Sequence, residues 1–545
     1  MDAEHPLDPS RRSFLAKGAM AAAGAAWAGK VGVAEAADRT GGGPHQGLEE
    51  ATIAELQAQM QSGQLTARRL TSAYLQRIRQ LDRLGPQLNS ILTINPRALE
   101  IAEQRDAERR AGQARGPLHG IPIVLKDNID TFDRMHSTAG SLALVDSKPL
   151  RDATVARRLR RAGAIILGKS NLSEWANFRS TQSSSGWSGV AGQTRNPYVL
   201  DRNPCGSSSG SGTAVSANLA AASLGTETDG SIVCPASATG IVGIKPTVGL
   251  TSRAGVIPIS HSQDTVGPMC RTVADAAVML GALTGVDPRD PATRASRGHR
   301  HRDYTQFLDP DGLHGARIGV ARNLTGFSPE TDEIFEAAVT AIRRAGATVV
   351  DPANLDSAAE LDASGAEFEV LLYEFKTDIR RYLATRSAGS PRTLGDLIRF
   401  NEANADRELR WFGQEIFELA QAKGPLTDPA YRQALRTGRR LAREEGLDKV
   451  LGEHNLDAIV APTGSPAWPT DLVNGDHFLG GSSSVAAVAG YPLISMPAGF
   501  AFGLPVGITF MGGAFAEPTL IRLASGFESA TGIRRAPDYE PTLAY

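Results

Sequence analysis

The chain has few cysteines and no excess of charge of one sign. Its 545 residues include three cysteines, Cys205, Cys234 and Cys270, an odd number that is too small for a disulfide framework. A bridge between Cys205 and Cys234 is compatible with this count, but we expect buried thiols. Lysine and arginine total 57 and aspartate and glutamate 59, so the net charge of −2 excludes a general attraction for nucleic acid or an acidic membrane.

The sequence also lacks a run of about 20 apolar residues, which excludes a permanent helical span of a bilayer. Histidines, cysteines and aspartates do not cluster at ligand spacing, so we expect no metal and no cofactor. The composition, 41% hydrophobic and 21% charged, is ordinary for a globular enzyme. The length allows one large or several medium domains, and nothing in it indicates an oligomeric state.

The N-terminus has the features of a twin-arginine export signal in their usual order. Arg11-Arg12 precedes an apolar run of small residues at 18–29, and Ala34-Glu35-Ala36 follows as a small-x-small cleavage site. A disordered basic tail is the alternative interpretation, but it does not account for this order. We predict a signal peptide at residues 1–36, export in folded form to the periplasm or out of the cell, and a glycine-rich joint at residues 37–48.

Apolar periodicity after residue 48 predicts a layered α/β domain. Apolar residues at spacings of three and four predict two helices, one over 53–60 and one over 70–81. Asp152 is a suitable N-cap for an arginine-rich helix that ends at Gly163. A charged stretch at 360–450 predicts a helical outer layer or cap. Short apolar runs predict buried strands at 120–126, 164–168, 241–244, 456–463 and 506–511.

One stretch has the composition of a linker, namely Asn203-Pro204-Cys205-Gly206-Ser207-Ser208-Ser209-Gly210-Ser211-Gly212. The residues that follow are not linker-like, because 214–222 is a candidate for a small-residue helix and 241–244 for a strand. Small side chains allow close backbone packing. We therefore place the whole segment 176–270, which is rich in glycine and serine, in the interior of the domain.

Two known motifs match this stretch only in part. Residues 206–210 fit G-x-S-x-G, the nucleophile elbow of α/β-hydrolases, which would make Ser208 the nucleophile. An elbow serine follows a buried strand directly, whereas residues 196–204 indicate a loop with two prolines. A phosphate-binding loop would require G-K-[ST] after the glycines, which is missing. The residues therefore favour neither motif.

A reactive serine needs a base, and the residues alone leave four candidates. They are His261 and three lysines at or near strand ends, Lys126, Lys169 and Lys245. A lysine base must be neutral, and lowering its pKa from about 10.4 to near 7 requires about 4 kcal/mol of bias from burial and nearby positive potential. Burial at the end of an apolar strand favours Lys126 and Lys169 without choosing between them.

Several motifs together resemble the amidase signature family. They are Cys205-Gly206-Ser207-Ser208-Ser209-Gly210-Ser211, Gly225-Thr226-Glu227-Thr228-Asp229-Gly230-Ser231-Ile232, Gly243-Ile244-Lys245-Pro246-Thr247, Val124-Leu125-Lys126-Asp127-Asn128 and Gly503-Leu504-Pro505-Val506-Gly507. The resemblance spans residues 48–535. It implies a layered α/β/α fold with a large mixed central sheet and helices on both faces, as a single domain over residues 49–545.

The resemblance also implies a catalytic triad of Ser231, Ser207 and Lys126. Ser231 would be the nucleophile that forms an acyl-enzyme, Ser207, after a cis peptide bond, would relay the proton, and Lys126 would be the base. Backbone N–H groups of Thr228, Asp229, Gly230 and Ser231 would form the oxyanion hole, and Ser208 would support the site. The family chemistry needs no cofactor, and the partner is a small-molecule or peptide amide.

Two departures from the usual family motifs refine the expected substrate. The family's Gly-Gly-Ser-Ser-Gly-Gly-Ser is here Cys-Gly-Ser-Ser-Ser-Gly-Ser, and its Thr-Gly-Gly-Ser is Thr-Asp-Gly-Ser, as in bacterial peptide amidases. Those enzymes remove the C-terminal amide from peptides. Segments 171–180 and 371–376 resemble them too, and we expect Asp229 to influence which amides fit. Within these segments, Trp175, Phe178 and Tyr373 are candidates for ordinary core aromatics.

Three alternatives remain open. The chain could be a broad amidase for small aliphatic or aryl amides. A transamidase subunit has a similar motif pattern, but the export signal argues against that function. A non-catalytic binding protein of the same fold is the third alternative, and the presence of all three reactive residues argues against it.

Overall fold

The buried apolar runs form the strands of one mixed sheet. The computed structural model describes residues 48–544, and eleven strands in this range join in a single sheet, while β4 and β5 form a separate two-stranded ribbon. The strands are β1 (Ile91–Ile94), β2 (Pro122–Lys126), β3 (Ile165–Ser170), β4 (Trp187–Ser188), β5 (Gly192–Gln193), β6 (Ala222–Glu227), β7 (Val242–Lys245), β8 (Thr265–Cys270), β9 (Arg317–Val320), β10 (Thr348–Val350), β11 (Ala458–Pro462), β12 (Leu493–Ala501) and β13 (Leu504–Met511). All five predicted strands are therefore confirmed within a few residues.

The order of the strands in the sheet is β1-β3-β2-β6-β8-β7-β12-β13-β11-β9-β10. β2 runs parallel to both β3 and β6, whereas β6, β8, β7, β12 and β13 are each antiparallel to the next. β2, β3 and β6 are buried along their whole length, as expected for parallel strands covered on both faces. The parallel register, with Leu125 opposite Leu224, places the C-terminal ends of β2 and β6 at the same edge of the sheet.

Helices pack against this sheet and give the predicted layered α/β/α fold. The α-helices within residues 48–544 are α1 (Ile53–Gln61), α2 (Ala67–Arg77), α3 (Ala98–Arg110), α4 (Thr154–Arg161), α5 (Ser209–Ser216), α6 (Val233–Ala238), α7 (Val273–Leu283), α8 (Pro329–Arg344), α9 (Ala358–Ser364), α10 (Ala366–Leu383), α11 (Leu394–Ala403), α12 (Ala405–Glu408), α13 (Glu415–Ala422), α14 (Pro429–Arg439), α15 (Asp448–Glu453), α16 (Ser484–Ala489) and α17 (Glu517–Thr531). The helices predicted at 53–60 and 70–81 are confirmed as α1 and α2, and a π-helical turn at Ile78–Arg83 extends the second.

The small-residue helix begins and ends earlier than its sequence predicts. α5 occupies Ser209–Ser216, so it starts inside the serine-rich stretch, and the alanines at the end of the predicted helix lead into β6 instead. Ala222 pairs with Ile123 of β2, and this ladder overrides the helix propensity of alanine. Close packing explains the small residues, because a Cβ on Gly210 would overlap the carbonyl oxygens of Ser90 and Asn171.

Asp152 is not the N-cap of the arginine-rich helix, so that prediction is wrong. The N-cap of α4 is Ala153, which makes no side-chain capping bond. The Asp152 carboxylate instead accepts a hydrogen bond from the Phe132 N–H at 2.7 Å and pairs with Arg160 at 3.2 Å. These two partners hold the aspartate away from the start of the helix.

The charged stretch near residues 360–450 forms helices α9 to α14 and a π-helical turn at Arg440–Leu447. α10, α11 and α13 bury an apolar cluster of their own that includes Phe375 and Phe417. Trp175 and Phe178 belong to this cluster, with ring centroids 5.6 Å from Phe417 and 5.2 Å from Phe375, respectively. Both aromatics, and Tyr373 in a neighbouring cluster, are therefore core residues.

The expectation of buried thiols is wrong for two of the three cysteines. Cys205 and Cys234 form a disulfide, with their Cα atoms 6.0 Å apart, whereas Cys270 is a buried free thiol. The pair, 29 positions apart in sequence, gave no local signal, because the fold brings the loop before α5 against the start of α6.

The predicted signal peptide at residues 1–36 and the joint up to residue 47 lie outside the described residues. No helix within residues 48–544 is both long enough and apolar enough to cross a membrane.

Candidate active site

Lys126 is the last residue of β2, and its side chain is completely buried. Its Nζ donates hydrogen bonds to Ser207 Oγ at 2.7 Å, to the Thr226 carbonyl at 3.1 Å and to Thr226 Oγ1 at 2.9 Å. Burial lowers the pKa of Lys126 to about 7, and the charges of Glu227 and Asp264 oppose this shift. The lysine can therefore give up its proton near neutral pH.

Ser207 lies in the loop that leads into α5, and the peptide bond between Gly206 and Ser207 is cis, as the family resemblance implies. The Ser207 carbonyl accepts a hydrogen bond from the Ser173 N–H at 3.1 Å. A Cβ on Gly206 would overlap Ser173 Oγ, so only glycine fits there. Ser173 thus holds this loop with the Ser207 hydroxyl against the lysine.

Ser208, the serine that the G-x-S-x-G spacing indicates, is fully buried and points into the fold. Its Oγ donates to the Thr226 carbonyl at 3.1 Å and accepts from the Thr226 N–H at 3.3 Å, while its own N–H donates to the Ser231 carbonyl at 3.2 Å. It therefore connects the loop of Ser207 to the end of β6 and to Ser231.

Ser231 lies in the turn between β6 and α6. The residue is 8% exposed, and its Oγ bonds to no group within residues 48–544. The N–H groups of Asp229, Gly230 and Ser231 likewise donate to no acceptor in that range. Gly230 has a φ of +75°, a left-handed conformation that favours glycine. A serine hydroxyl in this position can attack a carbonyl carbon, and the unpaired amide N–H groups beside it can stabilise the resulting oxyanion.

Each end of this turn is held by a buried carboxylate. Glu227 accepts from the N–H groups of Ile232 at 2.7 Å and Val233 at 3.0 Å, immediately after Ser231. Asp264 accepts from Thr228 Oγ1 at 2.6 Å. Burial raises the pKa of Glu227 and raises that of Asp264 to about 6.

Asp229 is fixed by two serines from another part of the chain. Its carboxylate accepts from Ser483 Oγ at 2.5 Å and from Ser484 Oγ at 2.7 Å, at the start of α16. Asp229 and Gly230 are partly exposed, whereas Thr228 is buried. The turn that carries Ser231 is thereby tied to the loop before α16.

The other candidate bases bond elsewhere. Lys169 Nζ donates to the Ile129 carbonyl at 2.6 Å and Ser137 Oγ at 2.9 Å, and Lys245 Nζ donates to the Tyr491 carbonyl at 2.6 Å. Neither lysine bonds to Ser207 or Ser231 within the described chain. Of the four bases that the sequence left open, Lys126 is the one in contact with a candidate serine.

His261 belongs to a separate cluster. Its Nδ1 lies 2.7 Å from Asp378 and its Nε2 lies 3.3 Å from Glu374. Burial opposes its protonation, but the bond to Asp378 and the charge of Glu374 raise the pKa of His261. These three residues could also hold a metal ion, a grouping that sequence spacing did not indicate. His261 and Asp378 line a cavity of about 420 Å³ that also reaches Asp264.

Thr226, Glu227 and Asp264 are residues of the site to which the sequence alone gave no role. Thr226 and Glu227 lie inside the motif at residues 225–232, and their position close to Ser231 was a usable signal. Asp264 lies in a loop before β8 and had no such signal.

The chain is similar to known amidases along most of its length. The Amidase family profile matches residues 69–521. A probable amidase of Arabidopsis thaliana is 44% identical over 500 residues, which cover 90% of this chain and 92% of that protein.

Two solved structures of peptide amidases are each 53% identical to the chain. The native peptide amidase of Stenotrophomonas maltophilia matches with a TM-score of 0.86 and covers 90% of this chain and 99% of its own. The peptide amidase PAM in complex with the competitive inhibitor chymostatin matches with a TM-score of 0.87, with coverage of 91% and 99%.

Proposed function

This chain belongs to the amidase family and is an amide hydrolase, and from that premise we propose that it removes the C-terminal amide from peptides, releasing the acid and ammonia. The observation that carries the proposal is the 2.7 Å hydrogen bond between Lys126 Nζ and Ser207 Oγ, at the edge of the sheet where β6 leads into the turn of Ser231. The 53% identity to peptide amidases supports this substrate over small aliphatic or aryl amides.

In the proposed reaction, Ser231 Oγ attacks the carbonyl carbon of the amide, and its proton passes through Ser207 Oγ to neutral Lys126. The C–N bond breaks as Lys126 returns the proton through Ser207 to the leaving nitrogen, which departs as ammonia. Water then adds to the ester carbonyl of acyl-Ser231 and loses its proton by the same route. The acid leaves as that proton returns to Ser231, which restores the enzyme.

The negative charge of each tetrahedral intermediate would be stabilised by backbone N–H groups of the turn from Thr228 to Ser231. Three of them, on Asp229, Gly230 and Ser231, have no other acceptor in the described chain. Amides that are already oriented stabilise an oxyanion without reorganisation, and removing one such donor typically costs 10²- to 10³-fold in rate.

We also propose that the enzyme works outside the cytoplasm. The twin arginines, the apolar run and the Ala-x-Ala site at residues 1–36 support this location. The disulfide between Cys205 and Cys234 supports it independently, because disulfides persist in oxidising compartments and are rare in the cytosol.

Ammonia release from a small panel of amides tests the proposed function. The panel contains an amidated dipeptide, its free acid as a blank, acetamide and an aryl amide, all assayed in EDTA because the proposed triad needs no metal. We expect the amidated dipeptide to have the highest kcat/KM. Ser231→Ala should lower it at least about 10⁴-fold, since the nucleophile is lost.

Ser62→Ala, which changes an exposed serine at the end of α1, is the matched control and should keep wild-type activity. If the wild type binds amides but releases ammonia from none of them, the protein is a binding protein of this fold. A preference for acetamide or the aryl amide would support the broad amidase instead.

A further inference from the structure

The two candidate serines lie in segments that a covalent bond joins. Cys205 is two residues before Ser207, and Cys234 is three residues after Ser231. Their disulfide therefore connects the loop of the relay serine to the first turn of α6, directly after the nucleophile. The family motifs alone, read one at a time, do not show this connection.

Hydrogen bonds fix each of the two cysteines within its own segment. The Cys205 N–H donates to Asn203 Oδ1 at 2.8 Å, and the Cys205 carbonyl accepts from Ser209 Oγ at 2.5 Å. The Cys234 N–H donates to the Gly230 carbonyl at 2.8 Å, inside the turn that presents Ser231. A change in the separation of the two sulfurs would therefore move the serines with respect to each other.

Few hydrogen bonds join the two segments directly. Between residues 203–209 and 228–234, the described chain has one direct hydrogen bond, from the Ser208 N–H to the Ser231 carbonyl at 3.2 Å. Ser208 Oγ also bonds to the Thr226 carbonyl at 3.1 Å and to the Thr226 N–H at 3.3 Å, but Thr226 precedes the turn. Proton transfer between two hydroxyls requires their oxygens within hydrogen-bond reach, and one such bond is weak support for that geometry.

We propose that the Cys205–Cys234 disulfide positions Ser207 and Ser231 for proton transfer, so that its reduction lowers kcat while the fold is retained. The inference rests on the proposed function. It makes Cys205 and Cys234 positioning residues, because they act through the two serines and touch no substrate. The main apolar core of the sheet and its helices does not include the two cysteines, which lie in a small separate apolar cluster.

A small dithiol can reach the bond. Cys234 is partly exposed, whereas Cys205 is 5% exposed within a small apolar cluster with Trp468 and Leu504. One thiolate of dithiothreitol attacks Cys234 Sγ and breaks the S–S bond, and Cys205 leaves as a thiolate that takes up a proton. The second reagent thiol then displaces Cys234, giving two protein thiols and the cyclic oxidised reagent, which has supplied two electrons.

The test compares kcat and KM for an amidated dipeptide before and after reduction of the native enzyme with dithiothreitol. Thiol titration must show two new thiols, and circular dichroism must show an unchanged fold. We expect kcat to fall by about tenfold or more with KM within about twofold, because small misplacement of reacting groups is costly. Reoxidation should restore kcat.

Two variants keep the test decisive. Cys205→Ala/Cys234→Ala should have the low kcat of the reduced enzyme and no response to the reagent, whereas Cys270→Ala should respond like the wild type. An equal kcat in the oxidised, reduced and double-variant enzymes, with only a lower Tm after reduction, overturns the inference and leaves a merely stabilising bond. No ammonia from the oxidised wild type overturns the proposed function, and this inference with it.

Discussion

In the proposed mechanism, the residues around Lys126 must keep its amine able to accept a proton. Its Nζ bonds to three oxygens, all from Ser207 and Thr226, and no carboxylate is among these partners. Burial favours the neutral amine, while the nearby charges of Glu227 and Asp264 favour the ammonium form, and the balance lowers the pKa to about 7. The operating pH of the enzyme therefore depends on those two carboxylates.

We expect kcat/KM to rise with pH through about 7 and to level off above it, because only neutral Lys126 accepts a proton. Glu227→Gln removes a negative charge that raises the pKa of Lys126, so the pKa falls further and the acid limb moves to lower pH. A displacement of about 0.5 to 1 in pH is expected. The pH profile of ammonia release from an amidated dipeptide measures it.

The substitution keeps the bonds that hold the turn. Glu227 Oε2 accepts both N–H groups, while Oε1 is buried with no hydrogen-bond partner among residues 48–544, so a glutamine can keep its amide oxygen where Oε2 lies. Glu517→Gln is the matched control, since that buried carboxylate favours the charged form of Lys245. An acid limb that stays in place in Glu227→Gln would contradict this account of Lys126.

Some residues of the candidate site could be proposed from the sequence, and others could not. Lys126, Ser207 and Ser231 could be proposed because the family resemblance selects them, whereas the residues alone left four bases open. The contact of Lys126 with Thr226 arises from the parallel strands β2 and β6, whereas Ser207 reaches Lys126 from the loop before α5 and Asp264 comes from a separate loop. Such through-space contacts have no signature in local spacing.

Between elements, the important connection is from the turn after β6 to the start of α16. The two serine hydroxyls of Ser483 and Ser484 bond to the Asp229 carboxylate, beside amides that would hold the oxyanion. Hydrogen bonds to a charged group contribute about 1.5 to 3 kcal/mol each. We therefore propose that Asp229 positions the turn, in addition to any effect on which amides fit.

We expect Ser483→Ala/Ser484→Ala to lower kcat by on the order of tenfold, because the released turn no longer aligns its N–H groups with the oxyanion. KM should change less, since the misaligned N–H groups stabilise the oxyanion, which is absent from the bound ground state. Steady-state kinetics with the amidated dipeptide measure both. Ser483→Thr/Ser484→Thr keeps the hydroxyls and is the control. A wild-type kcat in the alanine variant would contradict the proposed positioning by Asp229.

Helices and strands could be predicted where the apolar pattern that specifies them is local in sequence. Apolar runs identified strands such as β2 and β13, and spacing identified α1 and α2. The end of α5 was not predictable, because pairing with β2 places Ala222, at the end of the predicted helix, in β6. The predicted N-cap of α4 was wrong because the Asp152 carboxylate bonds to the Phe132 N–H, which is distant in sequence, and to Arg160 in the last turn of α4 itself.

Across the whole molecule, the central sheet positions the site. Lys126 ends β2, the turn of Ser231 begins where β6 ends, and the loop of Ser207 precedes α5, which packs beside both strands. The layered α/β/α fold was implied by resemblance, but the order of eleven strands could not be read from the sequence, because pairing depends on long-range contacts. The disulfide could not be predicted from the sequence for the same reason.

The location of the whole protein is the last expectation to test. Arg11→Lys/Arg12→Lys keeps the charge of the N-terminus but removes the paired arginines, so we expect the full-length precursor to stay in the cytoplasm. There Cys205 and Cys234 should titrate as free thiols, because the cytosol keeps thiols reduced. Cell fractionation, with amidase activity and thiol counts in each fraction, measures both effects. Arg39→Lys, beyond the expected cleavage site, is the control and should be exported like the wild type. Export of the double variant at the wild-type level would show that the paired arginines are not the signal.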